Sequence, residues 1–165
     1  MGNLRRLNDF LCYVLTKCCM IFVLIFTGVV IFQVLARNYI LVSVPWTDEV
    51  ALILFVWSVF LGAAVALRKR MHYLVDLFPP SCKRTNSFLD LFASFLVLGV
   101  VLVLLYGGSV FANMGLSRRF SSILITQSWL FVSMPIAAVC MLLFSVENIA
   151  NDFSKLKNAL RKGDA

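Results

Sequence analysis

Four long uncharged stretches constrain this chain more than any other feature. They cover 18–36, 50–67, 91–117 and 120–146, and charges bound each one: Lys17 and Arg37, Glu49 and Arg68, Asp90 and Arg118, Arg119 and Glu147. A helix that crosses a membrane needs about 20 mainly apolar residues, within roughly 17–25. The first two stretches just reach that range, and the last two exceed it by taking in some loop. Open sheet edges cannot sit in hydrocarbon, and a barrel strand would alternate in polarity, which these stretches do not. The expected fold is an all-α integral membrane protein with four transmembrane helices, near 12–36, 48–67, 88–112 and 125–147. No internal repeat or low-complexity linker divides the chain, so 1–165 reads as one helical domain.

Composition agrees. Of 165 residues, 61% are hydrophobic and 14% charged, whereas soluble domains run near 45–50% and about 25%. The net charge of +7 raises the question of nucleic acid. The basic residues flank apolar stretches, however, so they read as topology signals and contacts to anionic membrane lipids rather than as a nucleic-acid surface. None of the five cysteines forms a C-x-x-C pair, and most lie in or beside apolar stretches. They read as packing residues, with no metal or disulfide role.

Lys and Arg also set the orientation. The N-terminus, the middle loop and the C-terminus together hold twelve, while Arg37, Arg118 and Arg119 stand alone on the other side. That bias places both termini and the middle loop in the cytoplasm. Arg5 and Arg6 before an apolar stretch imitate a signal peptide. Lys17 interrupts the stretch and no small-residue cleavage site closes it, so it reads as a retained first helix.

The middle loop repeats Met71, Leu74, Val75 and Phe78 on one face, with Lys69, His72 and Asp76 on another. That spacing predicts a short amphipathic helix over 69–78, between the second and third spans, lying along the membrane surface and ended by Pro79 and Pro80. Leu4, Leu7 and Leu11, and likewise Phe153, Leu156 and Leu160, repeat the theme near the two termini.

Sites for chemistry are scarce. The four stretches hold no charge that could bind a substrate in the membrane. Gln33 reads as a bond to a neighbouring helix, Gly107, Gly108 and Pro135 as packing features. His72 is the single histidine, four residues before Asp76, a spacing that allows a side-chain contact. A haem held by two histidines of this chain is therefore impossible. No metal cluster, phosphate loop or catalytic triad appears, so no enzyme activity and no cofactor are expected. Packing signals are stronger. Ser58, Gly62 and Ala66 lie four apart in the second span, where small side chains let a helix approach closely, from within this chain or from another. Ser133 and Ala137 repeat that spacing in the fourth. Before the second span stands Pro45-Trp46-Thr47-Asp48-Glu49. Thr47 suits an N-cap, Asp48 and Glu49 suit the positive end of the helix dipole, and Trp46 suits the membrane–water boundary. The two acids could also meet a basic partner, Arg37 being the candidate within the chain.

Those residues carry a resemblance. Pro45-Trp46-Thr47-Asp48-Glu49-Val50-Ala51, Leu54-Phe55-Val56-Trp57, Phe60-Leu61-Gly62-Ala63-Ala64, Arg68, His72 and Val75-Asp76-Leu77 resemble the small membrane subunit, of the DctQ type, of tripartite ATP-independent periplasmic (TRAP) transporters. Arg37-Asn38-Tyr39 is similar to that family's Arg-Tyr pair with Asn38 intervening, and Gln127-Ser128-Trp129 with Pro135 is similar in position to its fourth-span pattern. The resemblance implies a non-catalytic scaffold in the bacterial inner membrane. It implies two partners, a large multi-helix subunit that moves an organic acid with sodium and a periplasmic substrate-binding protein. Trp46, Asp48, Glu49, Ser58, Gly62, Ala66, Arg68, His72 and Asp76 are then the expected partner-interface residues. A membrane anchor for a respiratory or redox complex is the competing reading, and the single histidine argues against it.

Overall fold

The computed structural model describes residues 2–69 and 83–161. Most of the expected surface helix over 69–78 lies outside them, as do His72, Asp76 and Cys82. The described chain is helical: α1 (Gly2–Leu35) ending in a π-helical turn (Ala36–Ile40), α2 (Pro45–Arg68), α3 (Lys83–Leu116), a short α4 (Ser128–Phe131) and α5 (Ser133–Arg161). Four segments are long and apolar enough to span a membrane: Arg5–Ile40, Pro45–Arg68, Phe88–Leu116 and Ser128–Ser154. At 1.5 Å per residue each exceeds the ~30 Å of a hydrocarbon core. The helices therefore carry on past the apolar stretches, and charged residues ride on their ends.

Local chemistry sets the boundaries. α2 begins at Pro45, whose preset backbone angle and missing N–H suit a first helical position. The cap is thus Val44, and Thr47 is not the N-cap its side chain suggests. Thr47 lies three residues past that cap, fully buried, and its hydroxyl donates back to the Val44 carbonyl at 2.6 Å. The fourth span breaks at Val132, between α4 and α5. Pro135 then falls in the first turn of α5, where its missing N–H leaves no helical carbonyl stranded. After the π turn, Leu41 takes a left-handed backbone (φ 57°) and its N–H closes on the Ala36 carbonyl.

The spans do not close into a square bundle. α1 packs on α2, α2 on α5, and α5 on α3, while among the described residues α1 and α3 do not touch. The result is a slab in the order α1, α2, α5, α3. A third of the most apolar stretch of α2 and of the fourth span is buried, against none of that stretch in α1. Leu15, Leu61, Ala64, Leu67, Val101, Met141 and Phe144 form the apolar centre. Two glycines bring α3 against its neighbour. A Cβ at Gly108 would stand 2.8 Å from Met134 Cβ, and one at Gly115 2.8 Å from the Ser128 backbone.

Burial is inverted relative to a soluble protein. Phe144 apart, the largest fully buried side chains are Asn8, Thr47, Asp152, Ser94, Ser133 and Ser145, whereas large residues such as Leu24, Val100, Val103 and Tyr106 point outward. In water that surface would be untenable. In lipid it is the expected arrangement, since helices there associate through small side chains and hydrogen bonds.

Candidate functional site

Polar side chains concentrate at the two ends of the slab. One end carries the start of α1, the end of α2 and the later turns of α5. There the Arg68 guanidinium bridges two helices, meeting Asp9 of α1 at 2.7 Å and Glu147 of α5 at 2.8 Å. Arg68 also lies over the Phe144 ring, 5.9 Å from its centre. Asn8, fully buried, donates to the other Glu147 oxygen and to the Leu143 carbonyl, while its own Oδ1 has no partner among the described residues. Asn148 donates to the Leu67 carbonyl. Nearby, Ser94 of α3 donates to buried Asp152 of α5 at 2.7 Å. All four long helices are tied here, which suits a place where the chain leaves hydrocarbon and bare polar groups would be costly.

The opposite end carries the turns 36–44 and 117–127. Asp48 accepts a hydrogen bond from Gln33 of α1, so Gln33 bonds a neighbouring helix as its position suggested. Glu49 reaches the other way. Its carboxylate accepts from the backbone N–H groups of Ser121 (2.8 Å), Ser122 (3.0 and 3.1 Å) and Ile123 (2.8 Å). The turn it holds is closed by hydrogen bonds from Phe120 N–H to the Ile125 carbonyl and from Gln127 N–H to the Arg118 carbonyl. Three consecutive N–H groups around one carboxylate form an anion nest, here filled by the chain itself. Arg37 lines a pocket with Gln33, Ser43 and Asp48 but forms no ion pair among the described residues.

The expected interface residues thus fall in separate places. Arg68 sits in the cluster at one end; Trp46, Asp48 and Glu49 sit at the other, Trp46 beside Phe32 and partly exposed. Ser58 and Gly62 face α1, where the Cys19 thiol donates to the Ser58 carbonyl at 3.4 Å and a Cβ on Gly62 would lie 3.6 Å from its sulfur. Ala66 is half-buried. Asn8, Glu147, Ser94 and Asp152 were not singled out from sequence, because only tertiary contact reveals them. Among the described residues no group of three or more His, Cys, Asp or Glu could hold a metal ion.

An inverted helical slab pinned at both ends defines a multi-pass membrane protein whose buried polar groups are spent on its own architecture. Comparison with known proteins makes the assignment specific. Residues 26–155 match the family model for the DctQ component of tripartite ATP-independent periplasmic transporters, and the chain belongs to that family. It is 28% identical over 153 residues to the sialic acid TRAP transporter permease protein SiaT of Haemophilus influenzae, covering 85% of this chain and 23% of that protein. It is 28% identical over 110 residues to the sialic acid TRAP transporter small permease protein SiaQ of Vibrio cholerae, covering 64% of this chain and 62% of that one. The chain therefore spans less than two thirds of the length of either relative.

Proposed function

We propose that this chain is the non-catalytic scaffold subunit of a sodium-coupled transporter for an organic acid. It binds a large multi-helix transport subunit and helps to dock a periplasmic substrate-binding protein. One observation carries the reading. In the Haemophilus permease a stretch similar to most of this chain makes up only 23% of the protein, so in that relative it is covalently joined to a much larger remainder. We read the four-helix slab as taking the same place beside a large membrane partner.

The inverted burial supports that role. α1 and α3 form the edges of the slab and keep broad apolar surfaces for lipid or another helical subunit. The names of both relatives favour sialic acid within the organic acids, alongside dicarboxylates and sugar acids. The charge bias supports an orientation with both termini in the cytoplasm of a bacterial inner-membrane protein and the turns 36–44 and 117–127 on the periplasmic side.

Reconstitution tests the reading. Proteoliposomes holding this chain and the large subunit, with the binding protein and sialic acid outside, are expected to accumulate substrate under an inward sodium gradient. Omitting this chain should abolish uptake. Full uptake by the large subunit and binding protein alone would overturn the scaffold role.

A further inference from the structure

The end that bears Asp48 and Glu49 also holds unusual exposed groups. Both acids are already engaged from within, Asp48 by Gln33 and Glu49 by the backbone of 121–123. The three arginines at this end, Arg37, Arg118 and Arg119, are exposed and form no ion pair among the described residues. Beside them the turns present apolar side chains: Tyr39 is 81% exposed, Leu41 85% and Leu124 96%. Leu41 has a left-handed backbone, a conformation that L-residues other than glycine, asparagine and aspartate rarely adopt. Its side chain gains little burial within the chain in return. An observed strain of this kind is a reason to look for a partner.

We infer that this end is a preformed docking surface for a soluble protein that presents acidic side chains around an apolar spot. Glu49 acts as a positioning residue, holding the turn that carries Arg118 and Arg119. The inference rests on the reading that a periplasmic binding protein docks here, and adds the chemistry of its docking face. Complementary charge steers and orients such an encounter, and a turn fixed beforehand loses little freedom on binding. Anionic lipid headgroups are the competing occupant. They are fluid and need no fixed turn, and the attraction of basic segments to lipid is strongest at the cytoplasmic leaflet, where this chain gathers its other basic residues.

The test uses the assembled complex of this chain and the large subunit in nanodiscs of zwitterionic lipid, with the binding protein in solution as probe. Wild-type binding should weaken as salt rises. The double variant Arg118→Glu/Arg119→Glu should bind about tenfold or more weaker, chiefly through slower association, while co-purifying normally with the large subunit. Leu41→Gly relieves the backbone and should also weaken binding. Glu49→Gln should weaken binding and speed hydrogen exchange at 121–123, Glu49→Asp should restore part of both, and the arginine variants should leave exchange unchanged. Wild-type affinity in the charge-reversed complex overturns the inference and leaves the scaffold reading standing. So does an arginine effect that appears only in anionic nanodiscs, which assigns the arginines to headgroups. Failure of the wild-type complex to bind the probe at all overturns docking itself, and this inference with it.

Discussion

Arg68 and Glu147 meet at 2.8 Å, joining the last residue of α2 to α5 where both leave the apolar slab. Each side chain is only 13% and 10% exposed, respectively, while Asp9, the second partner of Arg68, is 62% exposed. The asymmetry sets the energetics. Removing one member of a nearly buried pair leaves the other charge uncompensated, at a cost of about 3–5 kcal/mol. Arg68→Ala should destabilise by about that much and Glu147→Ala by less, since Arg68 then keeps Asp9 at 2.7 Å, whereas Asp9→Ala should cost less than ~1 kcal/mol because an exposed pair is weak. The double variant Arg68→Met/Glu147→Leu should be less damaging than either single substitution. Chemical unfolding of the purified chain in detergent checks the order of the four.

Trp57 of α2 donates its indole N–H to the Trp129 carbonyl at 2.9 Å and packs edge-on against Phe22 of α1. One side chain therefore ties α1, α2 and the start of the fourth span. Trp57→Phe keeps an aromatic ring but loses the donor, and should cost about 0.5–1.5 kcal/mol. Trp57→Ala removes the ring as well and should cost about 3–5 kcal/mol. No loss from Trp57→Phe would mean that the hydrogen bond contributes nothing, equal losses from the two would mean that the ring packing contributes nothing, and thermal unfolding distinguishes these outcomes.

The glycines divide into two groups. Gly108 and Gly115 have close neighbours on α4, α5 or the turn before α5, whereas an added Cβ at Gly28, Gly99 or Gly107 meets nothing within 4 Å. Gly115→Ala should cost about 1–3 kcal/mol, because the obstructing Ser128 atoms are backbone and cannot rotate aside. Gly107→Ala in the isolated chain should stabilise by about 0.5–1 kcal/mol through helix propensity alone. Gly62→Leu should overpack the contact with Cys19 at about 1–3 kcal/mol. Melting temperatures of the isolated chain test all three.

The spans were legible because charge is absent from long stretches, a one-dimensional signal that needs no tertiary knowledge. The order α1, α2, α5, α3 was not, because helices apolar all round announce no inward face. The tail shows the same limit. Phe153 reads as an interfacial anchor and does point outward, but neighbouring Asp152 is fully buried against Ser94, 58 residues away. The Glu49 nest was invisible for another reason: its donors are backbone N–H groups, which leave no residue signature. Thr47 misleads because its side chain suits a cap, while Pro45 two residues earlier already starts the helix.

Ser94 and Asp152 provide the last prediction, at a side-chain bond between α3 and the end of α5. The Asp152 carboxylate is fully buried and accepts from the Ser94 hydroxyl at 2.7 Å. A hydrogen bond to a charged group contributes about 1.5–3 kcal/mol, so Ser94→Ala should destabilise by about that amount. Ser94→Thr keeps the donor and adds a methyl group at a position only 2% exposed, so its loss should come from crowding alone. If the bond matters through the carboxylate's charge, Ser94→Ala should cost less in an Asp152→Asn background than in the wild type. A double-mutant cycle on unfolding free energies measures that coupling, and strictly additive losses would show that Ser94 stabilises α3 independently of Asp152.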